Sequence, residues 1–226
     1  SAAFFNFALP LLFLFLFGSI AAGDTAQLEI IIPGIAGMSI MATTFHALAM
    51  NLTFLREQGV LKRMRGTPLP TGSYLAGILG NAATNAAIQL TIVVVASKVV
   101  FGLDWPADLL TVVVFGIAGV VCMASLGIAF SHLIPNFDAA PAYANIVFLP
   151  VIFISGVFYD VENVPTFLHD IANALPLVHI INGLKAGLVT GQPVSDHWDD
   201  LGVIAVWAAV GIVFAVRGFA WESKRS

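Results

Sequence analysis

Long charge-free runs alternate with short polar breaks along the whole chain. The first extends from Ala2 to Ala22, contains FFNFALPLLFLFLFG, and ends at Asp24 and Glu29. The second, Ile30 to Leu55, carries Thr43, Thr44, His46 and Asn51 and leads straight into Arg56. Others follow from about Ser73 to Ser97, Leu109 to Ile134, Ala139 to Tyr159 and Leu201 to Ala220. A membrane-crossing helix needs about 20 mostly apolar residues, and in lipid only helices or closed barrels satisfy their backbone hydrogen bonds. Barrel strands would instead show alternating segments of about ten residues. The pattern therefore predicts an all-α polytopic membrane protein forming one transmembrane domain over residues 1–226. Six transmembrane helices are expected, at about residues 2–22, 31–54, 73–97, 109–134, 139–159 and 201–220. Between the last two, Ile171 to Leu184 is charge-free for only 14 residues and contains Pro176, His179 and Asn182. That length predicts short re-entrant or interfacial outer helices over residues 160–185.

Composition agrees. Hydrophobic residues make up 59% of the chain and charged ones 10%, with a mean hydropathy of +0.95, far from the balance of a soluble domain. The single Cys122 excludes an internal disulfide. In a membrane chain the placement of charge matters more than the net −4.

If the loop after the second span is cytoplasmic, that side receives Arg56, Lys62, Arg63, Arg65, Arg217, Lys224 and Arg225, seven of the nine basic residues. Only Lys98 and Lys185 fall opposite, so the positive-inside rule sets the orientation, with both termini cytoplasmic. Ser1 opens almost inside a span, without an initiator Met, a basic flank or a signal-peptide pattern. A native cytoplasmic segment is expected to precede it.

The densest charge lies in FLREQGVLKRMRGTPLP, Phe54 to Pro70. No proline interrupts Phe54 to Arg65, where Val60, Leu61 and Met64 recur at helical spacing among Arg56, Glu57, Lys62, Arg63 and Arg65. Gly66-Thr67-Pro68-Leu69-Pro70 then stops it. A positive anchor beneath anionic headgroups accounts for the charges alone. The abrupt stop and two prolines suit a rigid knuckle that transmits force to a cytoplasmic partner.

Glu57 to Leu69 resembles the E-x-G-x-L-x-x-L-x-x-T-P segment of type-2 ABC exporter permeases, the membrane subunits of daunorubicin, polysaccharide and lipid exporters. Leu149-Pro150, Ser155-Gly156-Val157-Phe158, Val164-Pro165, Leu175-Pro176-Leu177 and Ile181-Asn182-Gly183-Leu184-Lys185 resemble that family's pattern after the fifth span. Ala174 and Lys185 depart from it, standing where the family often has Asn and Arg. The resemblance covers nearly the whole chain. It implies a six-span permease that works with a second permease, identical or homologous, and with two ATP-binding-cassette subunits. The 55–72 loop would supply the coupling helix, with Arg56, Glu57, Gly59, Leu61, Lys62, Arg63, Arg65, Thr67 and Pro68 facing the ATPase. Ser155, Gly156, Pro165, Pro176 and Asn182 would shape the outer re-entrant segment. No Gly-x-x-x-x-Gly-Lys-Ser/Thr phosphate loop occurs, so ATP and Mg belong to a partner ATPase and this chain is non-catalytic, with no cofactor of its own.

Polar residues inside the spans admit two readings. Asn81, Asn85 and Gln89 recur at i, i+4 and i+8, one stripe on the third span. Together with Thr44 and Asn51 they are candidates for a cargo path or permease interface, against plain interhelical hydrogen bonding worth about 0.6 kcal/mol per contact. The five histidines are scattered, without zinc-ligand spacing, and no metal site is expected. Lipid is the expected surroundings and nucleic acid is not a partner.

The expectation is thus the permease subunit of an ATP-driven exporter of an amphiphilic drug, lipid or glycoconjugate, in the inner membrane of a bacterium. An ion-coupled secondary transporter is the alternative, although the spans hold almost no charge. Remoter still is an intramembrane hydrolase using Ser155 and His179, because Phe153 departs from the Gly-x-Ser-Gly form.

Overall fold

The computed structural model describes residues 2–21, 23–65, 71–161 and 164–218, and among these the fold is entirely helical. The first helix, α1 (Ala2–Ile20), leads to Asp24, whose carboxylate accepts from the Gln27 amide and caps α2 (Thr25–Met41). A π-helical turn, Ala42–His46, joins α2 without a break to α3 (Ala47–Glu57). Gly59, at φ 67°, reverses the chain into the short α4 (Val60–Arg65). Two long helices follow, α5 (Thr71–Phe101) and α6 (Leu109–Ser131), then the shorter α7 (Ala140–Ile154).

After a turn come α8 (Thr166–Ala174) and α9 (Pro176–Lys185), bent by 88° from one another. The bend has a local cause. Leu175 precedes Pro176, is forced out of the helical region to ψ 139°, and Pro176 then starts the next helix where its missing N–H costs nothing. A second π-helical turn, Ala186–Thr190, and a 3₁₀ turn, Val194–His197, lead into α10 (Trp198–Gly218).

Four of the described helical stretches are long and apolar enough to cross a membrane: Thr25–Glu57, Ala76–Phe101, Leu109–Ser131 and Val194–Arg217. The bent α8–α9 pair is a fifth if it forms one broken span, while Ala8–Ile20 and α7 are shorter. Six complete crossings, the number expected from the hydropathy pattern, are not established by these lengths. The difference is clearest at α7, whose 15 residues give about 22 Å of helix against a hydrocarbon core of about 30 Å. Its expected continuation to Tyr159 is replaced by a turn at Ser155 and Gly156, the latter at φ 72°.

The core is organised around α2, which is buried on every side from Ile31 through Met41, with Leu28 buried one turn earlier. It packs against α1, α5, α6 and α9; α6 also lies along α10. Glycines allow these close approaches: a Cβ on Gly127 would sit 2.7 Å from the Phe45 carbonyl oxygen, and one on Gly34 would overlap the Val157 carbonyl. Outward faces remain apolar and exposed, including Val99, Ile146, Val206 and Phe214, as lipid contact requires. Chemistry concentrates at the two ends of the bundle. One, the basic end, carries Arg56, Lys62, Arg63 and Arg217; the other holds Asp24, Asp104, Asp108, Asp160 and Asp200.

Candidate coupling surface, polar path and outer cap

At the basic end the last turn of α3 is locked to the α6–α7 connection. Arg56 is buried, and its guanidinium donates from Nη1 to the Ser131 carbonyl at 3.1 Å and from Nη2 to the Ile134 carbonyl at 2.6 Å. A cation there satisfies carbonyls that the end of α6 leaves without partners and complements its dipole. Beside it, a Glu57 carboxylate oxygen accepts the Phe137 amide at 2.7 Å, and the rings of Phe54 and Phe137 meet edge-on at 5.1 Å. In the turn that precedes α7, Asn136 Oδ1 accepts the Ala139 amide at 2.9 Å.

Arg56 and Glu57, expected to face a partner, therefore bond within the chain. Past Gly59 the side chains of Lys62 and Arg63 are exposed on α4. Leu61 and Arg65 lie on the same helix, while Thr67 and Pro68 fall outside the described residues. The outcome is a short basic helix attached to a pinned hinge.

The polar path residues divide by burial. Thr44 is fully buried in the π-helical turn, its hydroxyl donating to the Ile40 carbonyl; Ser39 and Thr43 bond their own helix in the same way. These hydroxyls are satisfied locally, and the π turn marks where α2 and α3 change register. Asn51 is exposed. On α5, Asn85 donates to Asn81 at 2.9 Å along an outward face, whereas Gln89 is fully buried. α5 packs on α2 and the π turn, so the stripe passes from an open face into the core along a single helix.

The acidic end holds a network that sequence spacing alone did not bring together. Asp200, in the first turn of α10, bonds Nδ1 of His179 at 2.6 Å through one oxygen and Nδ1 of His197 at 2.9 Å through the other. The Nε2 atom of His179 lies 2.9 Å from the Asn173 carbonyl, that of His197 2.9 Å from Gln192 Oε1, and Asn182 reaches Asp200 at 3.4 Å. One carboxylate thus ties α9 and the 3₁₀ turn to α10, and His179 extends the network to α8. Nothing in the order of the chain announces it, since its partners come from helices separated by a sharp bend.

With both imidazole nitrogens of His179 engaged and, among the described residues, no hydrogen-bond partner at Ser155 Oγ, the nucleophile and base of a hydrolase are not assembled. No group of three or more metal-ligating side chains occurs among the described residues.

Nearby, Asp108 caps α6, accepting from the Leu110 amide at 3.0 Å and the Thr111 hydroxyl, and the Thr111 bond holds its carboxyl below the usual range. Thr111 also reaches the Gln192 carbonyl at 3.2 Å. In the turn after α7, burial pushes the Tyr159 phenol up, and its hydroxyl donates to the Phe153 carbonyl. Pro165 precedes α8 and Pro176 opens α9, so both prolines mark bends of this cap.

Comparison with known proteins places this architecture. Residues 1–189 match the family model for the ABC-2 type transporter. Nodulation protein J of Rhizobium leguminosarum bv. viciae is 28% identical over 176 residues, covering 78% of this chain and 67% of the relative. Nodulation protein J of Neorhizobium galegae is 25% identical over 209 residues, covering 89% and 79%. The inner membrane transport permease YadH of Escherichia coli K12 is 25% identical over 172 residues, 73% of this chain and 64% of its own length. With its all-helical bundle and membrane-length apolar helices, the chain belongs to the ABC-2 type transporter family as a multi-pass membrane permease.

Proposed function

We propose that this chain is the non-catalytic permease subunit of an ATP-driven exporter in a bacterial inner membrane, with both termini cytoplasmic. It works beside a second permease, identical or homologous, and two ATP-binding-cassette subunits that bind ATP and Mg. Cargo is an amphiphilic drug, lipid or glycoconjugate.

One observation carries this reading: Lys62 and Arg63 project on a short helix whose base is fastened to the bundle by Arg56 and Glu57. Motion imposed on α4 reaches α3, and through the Arg56 bonds the ends of α6 and α7. In this reading Lys62 and Arg63 meet acids on the ATPase, while Arg56 and Glu57 transmit rather than contact.

The test is co-purification of the full-length chain with its ATPase in nanodiscs, comparing wild type with Lys62→Ala/Arg63→Ala. Binding and cargo-stimulated ATP turnover in wild type, lost in the variant, support coupling through α4. A properly folded wild type that binds no ATPase removes the reading. Ion-coupled transport is favoured only by the Asp200 cluster, which sits in the first turn of α10 at the bundle end, an unusual position for a coupling ion that must be handed across the membrane.

A further inference from the structure

Helix α8 is lightly embedded in the outer cap. Of its nine residues only Ala172 is buried, while Phe167 and Ile171 are exposed. Its C-terminal end is what is fastened: the Asn173 carbonyl meets Nε2 of His179 at 2.9 Å, and the Ala174 carbonyl accepts from Nε1 of Trp207 at 2.9 Å. The last carbonyls of a helix have no partners within it, and a cation beside them complements its dipole.

Proton counting decides what His179 must be. Its ring lies between two oxygens, Oδ1 of Asp200 at 2.6 Å and the Asn173 carbonyl, and the second is a backbone acceptor with no other form. A neutral imidazole has one N–H and one lone pair, so beside an ionised Asp200 it donates to one oxygen and turns its lone pair on the other. Both contacts are hydrogen bonds only when the pair holds one further proton, on His179 as imidazolium or shared with the carboxyl. His197 makes no such demand. Its Nδ1 donates to Asp200 Oδ2, and its Nε2 faces the Gln192 side chain, whose amide can turn to present an N–H.

The surroundings keep this count local. The side chains of His179 and Asp200 are 13% and 15% exposed, and Asp200 is the charge that acts on the ring. Of the other titratable groups on elements packed here, His169 and Asp170 of α8 lie 3.8 Å from one another and Asp108 caps α6. Glu29 at the start of α2, Asp196 of the 3₁₀ turn and Asp199 of α10 are exposed. Lys185 is six residues along α9, on a different face from His179.

We propose that His179 and Asp200 form a proton-dependent latch on α8, closed while the pair holds its further proton and loosened when that proton leaves. Rising pH therefore frees the C-terminal end of α8. The released helix uncovers the cavity of about 150 Å³ that its His169 and Asn173 line together with Ser155 and Lys185. The latch involves neither ATP nor α4, so it stands or falls separately from coupling to an ATPase.

The full chain in nanodiscs is followed by hydrogen–deuterium exchange across about pH 5 to 9, spanning the histidine range, with rates corrected for the chemical pH dependence of exchange and the α6 amides as reference. Protection of the α8 amides in wild type is expected to fall about tenfold as pH rises, the loss of one charge-assisted bond, with α6 unchanged. Asp200→Asn supplies the decisive contrast. Its amide N–H donates to Nδ1 of a neutral His179, whose Nε2–H still reaches the Asn173 carbonyl, so α8 is expected to stay protected at every pH. His179→Gln is expected to leave α8 unprotected throughout, and His197→Gln to keep the wild-type pH dependence. Wild-type protection that ignores pH overturns the proposal without any variant. So does an Asp200→Asn chain whose α8 loosens with pH as wild type does.

Discussion

Arg56 and Ile134 are 78 positions apart in the chain and are joined by a 2.6 Å bond from guanidinium to carbonyl, which fastens the end of α3 beneath the end of α6. A basic residue that by composition belongs to the outward-facing cluster is instead a structural cation inside it. The charges of the 55–72 segment therefore divide into an anchor, Arg56 and Glu57, and a projecting pair, Lys62 and Arg63.

Replacing the anchor costs stability. Arg56→Ala removes two charge-assisted bonds and is expected to destabilise the chain by about 2–4 kcal/mol. Arg56→Lys recovers only part, because an ammonium lacks the planar fork that reaches two carbonyls. Denaturant unfolding in micelles, tracked by tryptophan fluorescence, measures both. An Arg56→Ala chain as stable as wild type would assign Arg56 to a partner surface after all.

The projecting pair behaves in the opposite way. Lys62→Ala/Arg63→Ala, altering exposed side chains, is expected to change unfolding by no more than about 0.5 kcal/mol per site while abolishing ATPase capture. Measured together, stability and pull-down distinguish a contact surface from a scaffold.

Glycine substitutions separate packed from open helix faces. Gly127→Ala places a methyl 2.7 Å from the Phe45 carbonyl, part of a backbone that cannot step aside, and is expected to cost about 1–3 kcal/mol. Gly77→Ala and Gly80→Ala on α5 meet nothing within 4 Å and are expected to be neutral or to gain up to about 1 kcal/mol in the isolated chain. If a second permease covers that face, the same two variants weaken association while leaving the single chain sound. Melting curves and the mass of the detergent-solubilised complex report the two effects separately.

The cap is tested by a double-mutant cycle. His179→Ala and Asp200→Asn share one bond of 2.6 Å, so their combined effect is expected to fall short of the sum by about 0.5–3 kcal/mol. His197→Ala/Asp200→Asn gives a second cycle through the other carboxylate oxygen. Additive effects in both would mean that the network does not hold α9 to α10.

Membrane placement, helical class and the position of the basic turn were all legible in the chain, because hydropathy over about 20 residues and charge density are local properties that lipid enforces directly. The bend at Leu175–Pro176 was equally readable in kind, since a proline restricts the residue before it wherever the pair occurs. Which polar groups meet was not. His179, His197 and Asp200 look unrelated along the sequence, and Arg56 looks like its basic neighbours; each acquires its role from a partner that only helix packing brings within 3 Å. The same holds for the length of α7: an apolar run reports what lipid would accept, but the turn at Ser155 and Gly156 is set by the fit of α7 and its neighbours. Sequence determined the solvent in which this protein folds and the end at which its positive charge gathers. Tertiary structure decided that Arg56 and Glu57 are spent on the bundle, because that choice depends on distances between helices that no local pattern encodes.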